Sequence, residues 1–221
     1  MTPAGAGAAA FRAALAGVPR HALRDVGGLL APDGTTTVAF GAAAGTLLVL
    51  FEALSEPPLE VGVPSGGPVF RDECVELFLA EPGAPATYRE LVVNPAGAVY
   101  SALVTNPDDS RATWTVSPGE PPRGLLVDVA GPPGGTQPRT WTRWTCLLGV
   151  PLGSFRASGR DTPPGSLFRA NAFRIARGRT TRFLALRPTG RSAPPDFHVP
   201  SRFAPLRIPD AVFHSGDGRT A

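Results

Sequence analysis

The chain has 221 residues, a length that suits one domain and can bury a sizeable core without disulfides or metals. Hydrophobic residues make up 43% and charged residues 18%, which excludes disorder throughout. The formal charge of +3 is small, and the basic residues, all arginine, are scattered apart from RIARGRTTR at 174–182, so nucleic-acid binding is not indicated; nor does any apolar stretch approach the roughly 20 residues of a membrane-spanning helix.

Residues 1–30 read as an N-terminal extension. Within it AGAAAFRAALA (6–16) has helical propensity but no strong caps, and is expected to fray. Arg12 interrupts the apolar run that a signal peptide would need, so the reading favours a cytoplasmic protein. From residue 31 to 209 the pattern changes. The 26 glycines and 26 prolines gather in small clusters such as PSGGP, EPGAP, NPAG and SPGEPP, which break helices and bound short strands. Between the clusters strands are expected at 35–41, 46–53, 59–63, 74–80, 87–94, 97–104, 112–116, 124–130, 142–150, 169–176, 182–187 and 205–208. A dozen short strands predict an all-β chain folded as an antiparallel two-sheet β-sandwich. The tail, 210–221, is expected to be disordered. Cys74 and Cys146 lie in apolar runs without metal spacing, where a free thiol behaves as a small hydrophobe; their number allows one disulfide, but a reduced pair is favoured.

Alternation along the strands sorts the faces. In CVELFLA, Val75, Leu77 and Leu79 point to the core, while Cys74, Glu76 and Phe78 point away. Tyr88, Glu90, Val92 and Asn94 share a face in the next strand, as do Arg169, Asn171, Phe173 and Ile175 in RANAFRIA. Faces that mix carboxylates, amides and aromatic rings suit sugar binding, because rings cover the C–H faces of a sugar while carboxylates and amides meet its hydroxyls. The plainer alternative is that Glu76 and Glu90 are solvated, or pair with Arg174 or Arg89.

The run FRDECVELFLAEPGAPATYRELVVNPAGAVY resembles the signature of family 9 carbohydrate-binding modules and their single-domain relatives: an aromatic residue, acidic positions leading into Val-Glu, a tyrosine-bearing strand and an Asn-x-x-Gly turn. WTCLLGVPLGSF, FRANAFRIAR and PPDFHVPSRFAPLRI are similar to later motifs of that family, in the same order, so the resemblance covers about residues 46–208. It implies an antiparallel β-sandwich related to the DOMON superfamily, whose members bind sugars or haem. It also implies a carbohydrate ligand, clamped between two tryptophans and anchored by a glutamate, an arginine and asparagines. By motif position the first clamp residue falls at Phe70, the glutamate at Glu76 and the amide at Asn94. The second tryptophan is replaced by Leu186 and Arg187, and the arginine by Val92.

The candidate ligand-binding residues are therefore Phe70, Glu76, Glu90, Asn94, Asn171 and Arg187, with Asp72, Glu73, Arg174, Phe197, His198 and Phe203 as structural motif residues. Asp72 and Glu73 could fix a turn or contribute to a calcium site with loops such as NPDD (106–109). His198 reads as a hydrogen-bonded structural histidine. Haem ligation in the DOMON relatives uses axial methionine and histidine, and Met1 is the only methionine in the chain, which argues against it; a haem-binding DOMON-type domain using His198 is the last of the alternatives. Glu76 and Glu90 could pair as in a glycosidase, but nothing in the sequence suggests acid/base tuning, and no nucleophile elbow or phosphate loop is present, so the chain reads as a non-enzyme. The alternative to sugar binding is a sandwich scaffold or protein-interaction domain that has lost its clamp, its partner unknown.

Overall fold

The computed structural model describes residues 4–28, 34–57, 59, 61–131, 142–153 and 166–208. Two antiparallel sheets pack face to face there, as expected from the strand pattern. One sheet orders β1 (His21–Ala22), β3 (Thr36–Ala43), β4 (Thr46–Ser55), β10 (Thr142–Pro151) and β9 (Leu126–Ala130) as β1-β3-β4-β10-β9. The other runs β2 (Arg24–Asp25), β12 (Arg182–Ala185), β11 (Leu167–Ala176), β5 (Cys74–Glu81), β6 (Ala84–Val93), β7 (Val99–Thr105) and β8 (Thr115–Pro118) in that order. The closing strand β13 (Ala204–Arg207) pairs with the first half of β11, and β12 pairs with its second half.

The period-two pattern decides what lies between the sheets. Val75, Leu77 and Leu79 of β5 and Leu91 and Val93 of β6 meet Val49, Phe51 and Ala53 of β4 and Trp144, Cys146 and Leu148 of β10 in one buried cluster. The opposite face of β5 and β6 builds a second cluster with Phe78, Tyr88, Val92, Phe173, Phe197 and Phe203, because the chain segments around 61–72 and 189–203 fold back over it. Cys74 belongs to this outer cluster and Cys146 to the inner one, and both thiols are free.

One polar cluster lies in the inner layer. Arg174, on the core side of β11, is fully buried and pairs with Glu73, which immediately precedes β5. Its guanidinium also donates to Thr36 Oγ1 (2.6 Å), Ser55 Oγ (2.9 Å) and the carbonyls of Thr35 and Leu54 (3.2 Å each). Trp144 Nε1 donates to Ser55 Oγ (2.8 Å), and Ser55 donates to Glu73 Oε1 (2.8 Å). Arg174 therefore pairs with neither Glu76 nor Glu90, as one alternative held. Arg89, also on the inner face of its strand, bonds Ser101 and the Glu120 carbonyl.

Three expectations change. The strand expected at 59–63 is not formed at its described residues; the amides of Gly62 and Val63 donate instead to Asp72 Oδ2 (3.0 and 2.8 Å). The helix spans Ala4–Ala14 and is not frayed against solvent. Ala8 and Leu15 are buried on the outer face of the five-stranded sheet with Leu48, Leu50 and Leu147, and Arg12 donates to Asp128 Oδ2 (2.6 Å) and Thr145 Oγ1 (3.0 Å). Leu15 presses so close to β3 that a Cβ at Gly41 would lie 2.6 Å from its Cδ2, so any larger residue there would push the Leu15 side chain aside. Third, part of the supposed extension joins the sandwich: residues 21–25 add a short strand to each sheet. The tail at 210–221 lies outside the described residues.

Removing one partner of the buried ion pair leaves a desolvated charge. Glu73→Ala is expected to cost about 3–5 kcal/mol, read as a lower urea midpoint; a loss under about 1 kcal/mol would contradict the assignment. Leu15→Ala is expected to cost about 2–5 kcal/mol in the same assay if the helix unfolds with the sandwich, and almost nothing if it is an appendage.

Candidate functional site

The outer face of the larger sheet carries a cavity of about 320 Å³. Strand register dictates its floor. Phe173, Glu76, Val92 and Tyr100 stand in one cross-strand row, and Asn171, Phe78, Glu90 and Ala102 in the next. Glu76 and Glu90 are thus diagonal neighbours on adjacent strands, on the same face, with backbones roughly 7–8 Å apart.

Both carboxylates line the cavity and are almost wholly withdrawn from the surface, Glu76 at 2% exposure and Glu90 at 5%. Among the described residues no hydrogen bond reaches the Glu90 carboxylate, and Glu76 Oε1 meets only the Cys74 thiol at 3.7 Å. Burial pushes Glu90 up to about 7, opposed by the nearby charge of Arg111. Burial likewise pushes Glu76 well above the usual carboxylate range, and Glu90 adds to the effect by repulsion. The tuning that the sequence did not reveal is therefore present. It comes from packing, which no local motif encodes.

The walls are aromatic. Phe70, carried by a 3-10 helix at Val69–Arg71, is 37% exposed and stands edge-on to Tyr100, ring centres 5.4 Å apart. Trp114 stands edge-on to His198 at 4.7 Å, and the Arg111 guanidinium lies 4.8 Å from the Trp114 ring centre. Arg111 also donates twice to Asp196 Oδ1, at 2.8 and 3.2 Å, and Asp196 Oδ1 accepts the His198 amide (3.1 Å). His198 bonds the Tyr88 hydroxyl through Nδ1 (2.8 Å), and burial pushes its ring down to about 4, which keeps it neutral. Asn106 donates to the His198 carbonyl (2.8 Å), and Asp109 takes the Ser201 amide (3.1 Å) and hydroxyl. These bonds clip the loop before β8 to the closing segment, and so fix Arg111 and Trp114 over the cavity.

Of the residues singled out from sequence, Phe70, Glu76, Glu90, Phe197 and His198 meet at this cavity. Phe203 packs beneath, 5.0 Å from Tyr88. Asn94, Asn171 and Arg187 do not belong to it, and each is corrected for a physical reason. Asn94 is saturated, donating to Asp72 Oδ2 (2.9 Å) and the Val63 carbonyl (3.2 Å) while accepting the amides of Ala96 and Ala98. Asn171 clips the backbone of Arg187, both to its carbonyl (2.9 Å) and from its amide (3.0 Å). The Arg187 side chain lines a different, open groove with Arg20 and Arg24.

Asp72 and Glu73 are equally committed. Asp72 Oδ2 takes two loop amides and Asn94, while Glu73 takes Arg174, Ser55 and the Arg177 amide. They fix the turn before β5 and are not free to hold calcium; among the described residues no three His, Cys, Asp or Glu side chains gather as a metal site.

Sequence reasoning missed Tyr100, Arg111 and Trp114. Tyr100 had a usable signal, since it stands opposite Val92 on the strand facing Glu90. Trp114 had one too, since in the strand expected at 112–116 it shares a face with Val116, which also lines the cavity, although β8 starts only at Thr115; Arg111 had none, because a loop without periodicity delivers it.

No model of a known protein family matches the chain. An extracellular protein of Arthroderma benhamiae is 29% identical over 157 residues, covering 68% of this chain and 67% of that protein. The structure is similar to a candidate carbohydrate-binding protein from Bacteroides uniformis, with a TM-score of 0.69 at 17% identity over 94% of both chains. It is also similar to a family 9 carbohydrate-binding module from Caldicellulosiruptor kristjanssonii, solved with cellotriose, with a TM-score of 0.53 at 13% identity over 92% of this chain and 87% of that one. A family 9 module from the same organism solved with glucose gives a TM-score of 0.52 at 12% identity, over 92% of this chain and 88% of that one. At these identities the likeness establishes the fold, which is that of the family 9 carbohydrate-binding modules.

A carboxyl whose folded value lies above its ordinary 4.5 binds more protons in the native state than in the unfolded one between pH 4.5 and about 7. Its contribution to stability is therefore present below pH 4.5 and lost as pH rises to about 7. Glu90→Gln removes this loss. The variant's advantage over wild type is expected to grow across that window, by about 3 kcal/mol, and to level off above it, in urea melts taken from pH 4.5 to 8. An advantage that does not change with pH would contradict the burial of an unpaired Glu90.

Proposed function

We propose that the chain is a non-catalytic carbohydrate-binding domain that receives one sugar unit in the cavity between Phe70, Tyr100 and Trp114. The observation that carries this reading is the pairing, in one small cavity, of aromatic walls with buried carboxylates that, apart from the Cys74 thiol at Glu76, have no hydrogen-bond partner among the described residues. Rings of this kind cover the apolar C–H face of a pyranose, and carboxylates and Arg111 meet its hydroxyls. A volume near 320 Å³ lies at the small end of ligand sites, in keeping with one unit rather than a long chain. The fold shared with modules solved with cellotriose and glucose supports the same class of ligand.

Trp114 and Arg111 also answer the departures at Leu186, Arg187 and Val92. Leu186 packs against the inner core, so an aromatic there would not reach the cavity. A second ring and a guanidinium are supplied instead from the loop before β8.

Hydrolysis is a poorer reading of the two glutamates. A glycosidase needs one carboxyl kept protonated and the other kept ionised, so their environments must differ. Here the same burial raises both.

Calorimetric titration against glucose, xylose and their short β-linked oligomers tests the proposal. Binding in the micromolar to millimolar range is expected, weakened about 3- to 10-fold by Phe70→Ala and by Trp114→Ala. A folded protein that binds none of these, nor the sugars named below, would leave the sandwich as a scaffold for some other partner.

A further inference from the structure

Most of the charge around the cavity is already balanced. Arg111 is opposed by Asp196 and lies against Trp114. Of the other titratable groups facing it, burial keeps the Cys74 thiol and the Tyr88 and Tyr100 phenols protonated, and keeps His198 unprotonated. Asp109 is engaged with Ser201. The charge of Arg111 acts on Glu76 and Glu90 from nearby, but neither carboxylate has an ion-pair partner among the described residues; the two are diagonal neighbours on one face and line the aromatic-walled space.

Resting on the sugar-binding reading, we infer that the preferred ligand is a sugar bearing a free, positively charged amino group, such as a 2-amino-2-deoxyhexose unit, whose ammonium sits between Glu76 and Glu90. A neutral sugar offers hydroxyl hydrogen bonds but no charge, so both acids would have to stay protonated or bear an uncompensated burial cost. An ammonium supplies the missing charge and three N–H donors, enough to reach both carboxylates and a third acceptor. The faces of Phe70, Tyr100 and Trp114 attract a cation as well as sugar C–H groups. An N-acetylated amino sugar lacks the charge and adds bulk in a cavity of only about 320 Å³.

The proton balance gives the inference its own signature. Glu90, held near 7 by burial, is largely protonated at pH 6 in the free protein; an arriving ammonium stabilises its ionised form, and the displaced proton passes to the buffer. The ligand keeps its own charge throughout.

The test titrates the full chain at pH 6 with glucosamine, N-acetylglucosamine and glucose, in two buffers of different ionisation enthalpy. Glucosamine is expected to bind at least 10-fold more tightly than either neutral sugar and to release about half a proton or more, and its affinity is expected to fall several-fold when the pH is lowered to 4.5. Glu90→Gln and, separately, Glu76→Gln are expected to bring the preference for glucosamine over glucose to within about 2-fold, with folding of each variant checked by its thermal melt. Equal or tighter binding of a neutral sugar, or glucosamine binding without proton release, overturns the amino-sugar inference and leaves the sugar-binding reading standing. Absence of binding to all three, and to the neutral oligomers above, overturns both.

Discussion

The Glu73–Arg174 ion pair is the constraint on which the position of everything else depends. Arg174 reaches from β11 across the sandwich to Thr36, Leu54 and Ser55 of the opposite sheet, and Glu73 meets it from the turn before β5. A buried pair of this sort is not a net stabiliser when compared with well-packed apolar residues; its force lies in the penalty for any arrangement that separates the partners. A one-residue slip of β11 against β5 would turn Arg174 to the outer face and leave Glu73 unpaired in the core. The pair therefore fixes the β11–β5 register that places Phe173 beside Glu76, and Asn171 beside Phe78.

That register also explains why a core-forming strand begins with so many acids. Asp72 holds the loop at Gly62 and Val63, Glu73 locks the sheets together, and Glu76 faces the cavity. Three carboxylates within five residues thus do three different things, Glu73 between the sheets and Asp72 and Glu76 on the outer side. Asp72 and Glu73 find donors at once, so their burial is compensated. Glu76 finds only the Cys74 thiol, and Glu90 across the strand finds no donor among the described residues, which is what separates a binding surface from a structural one.

The outer cluster of the larger sheet turns this surface into a cavity. Phe78, Tyr88, Phe173 and Phe203 form an apolar floor beside the two acids. The loop carrying Arg111 and Trp114 and the segment carrying Asp196 and His198 hold one another in place. The apolar surroundings of that floor disfavour the charged form and so raise both acids. Electrostatics and shape in this cleft have one origin, the packing of aromatic rings on both sides of a pair of carboxylates.

The amino-acid sequence by itself determined the sandwich, because period-two alternation and Pro/Gly punctuation are local properties that survive without knowledge of any neighbour. It also determined which faces of CVELFLA, TYRELVVN and RANAFRIA look inward, and hence that Glu76 and Glu90 share a surface with Phe173. It did not distinguish a side chain aimed at a ligand from one consumed by the backbone. Asn94 and Asn171 share the polar character of Glu90, yet Asn94 is consumed by its own five-residue turn and by Asp72, and Asn171 by the backbone of Arg187, 16 residues away and just past β12. Nor could it place Arg111 and Trp114, whose position depends on contacts with residues more than 80 positions later. Faces follow from the chain's own geometry, and the tertiary structure alone decides which polar groups on a face are left without partners, because that depends on what the rest of the chain brings over them.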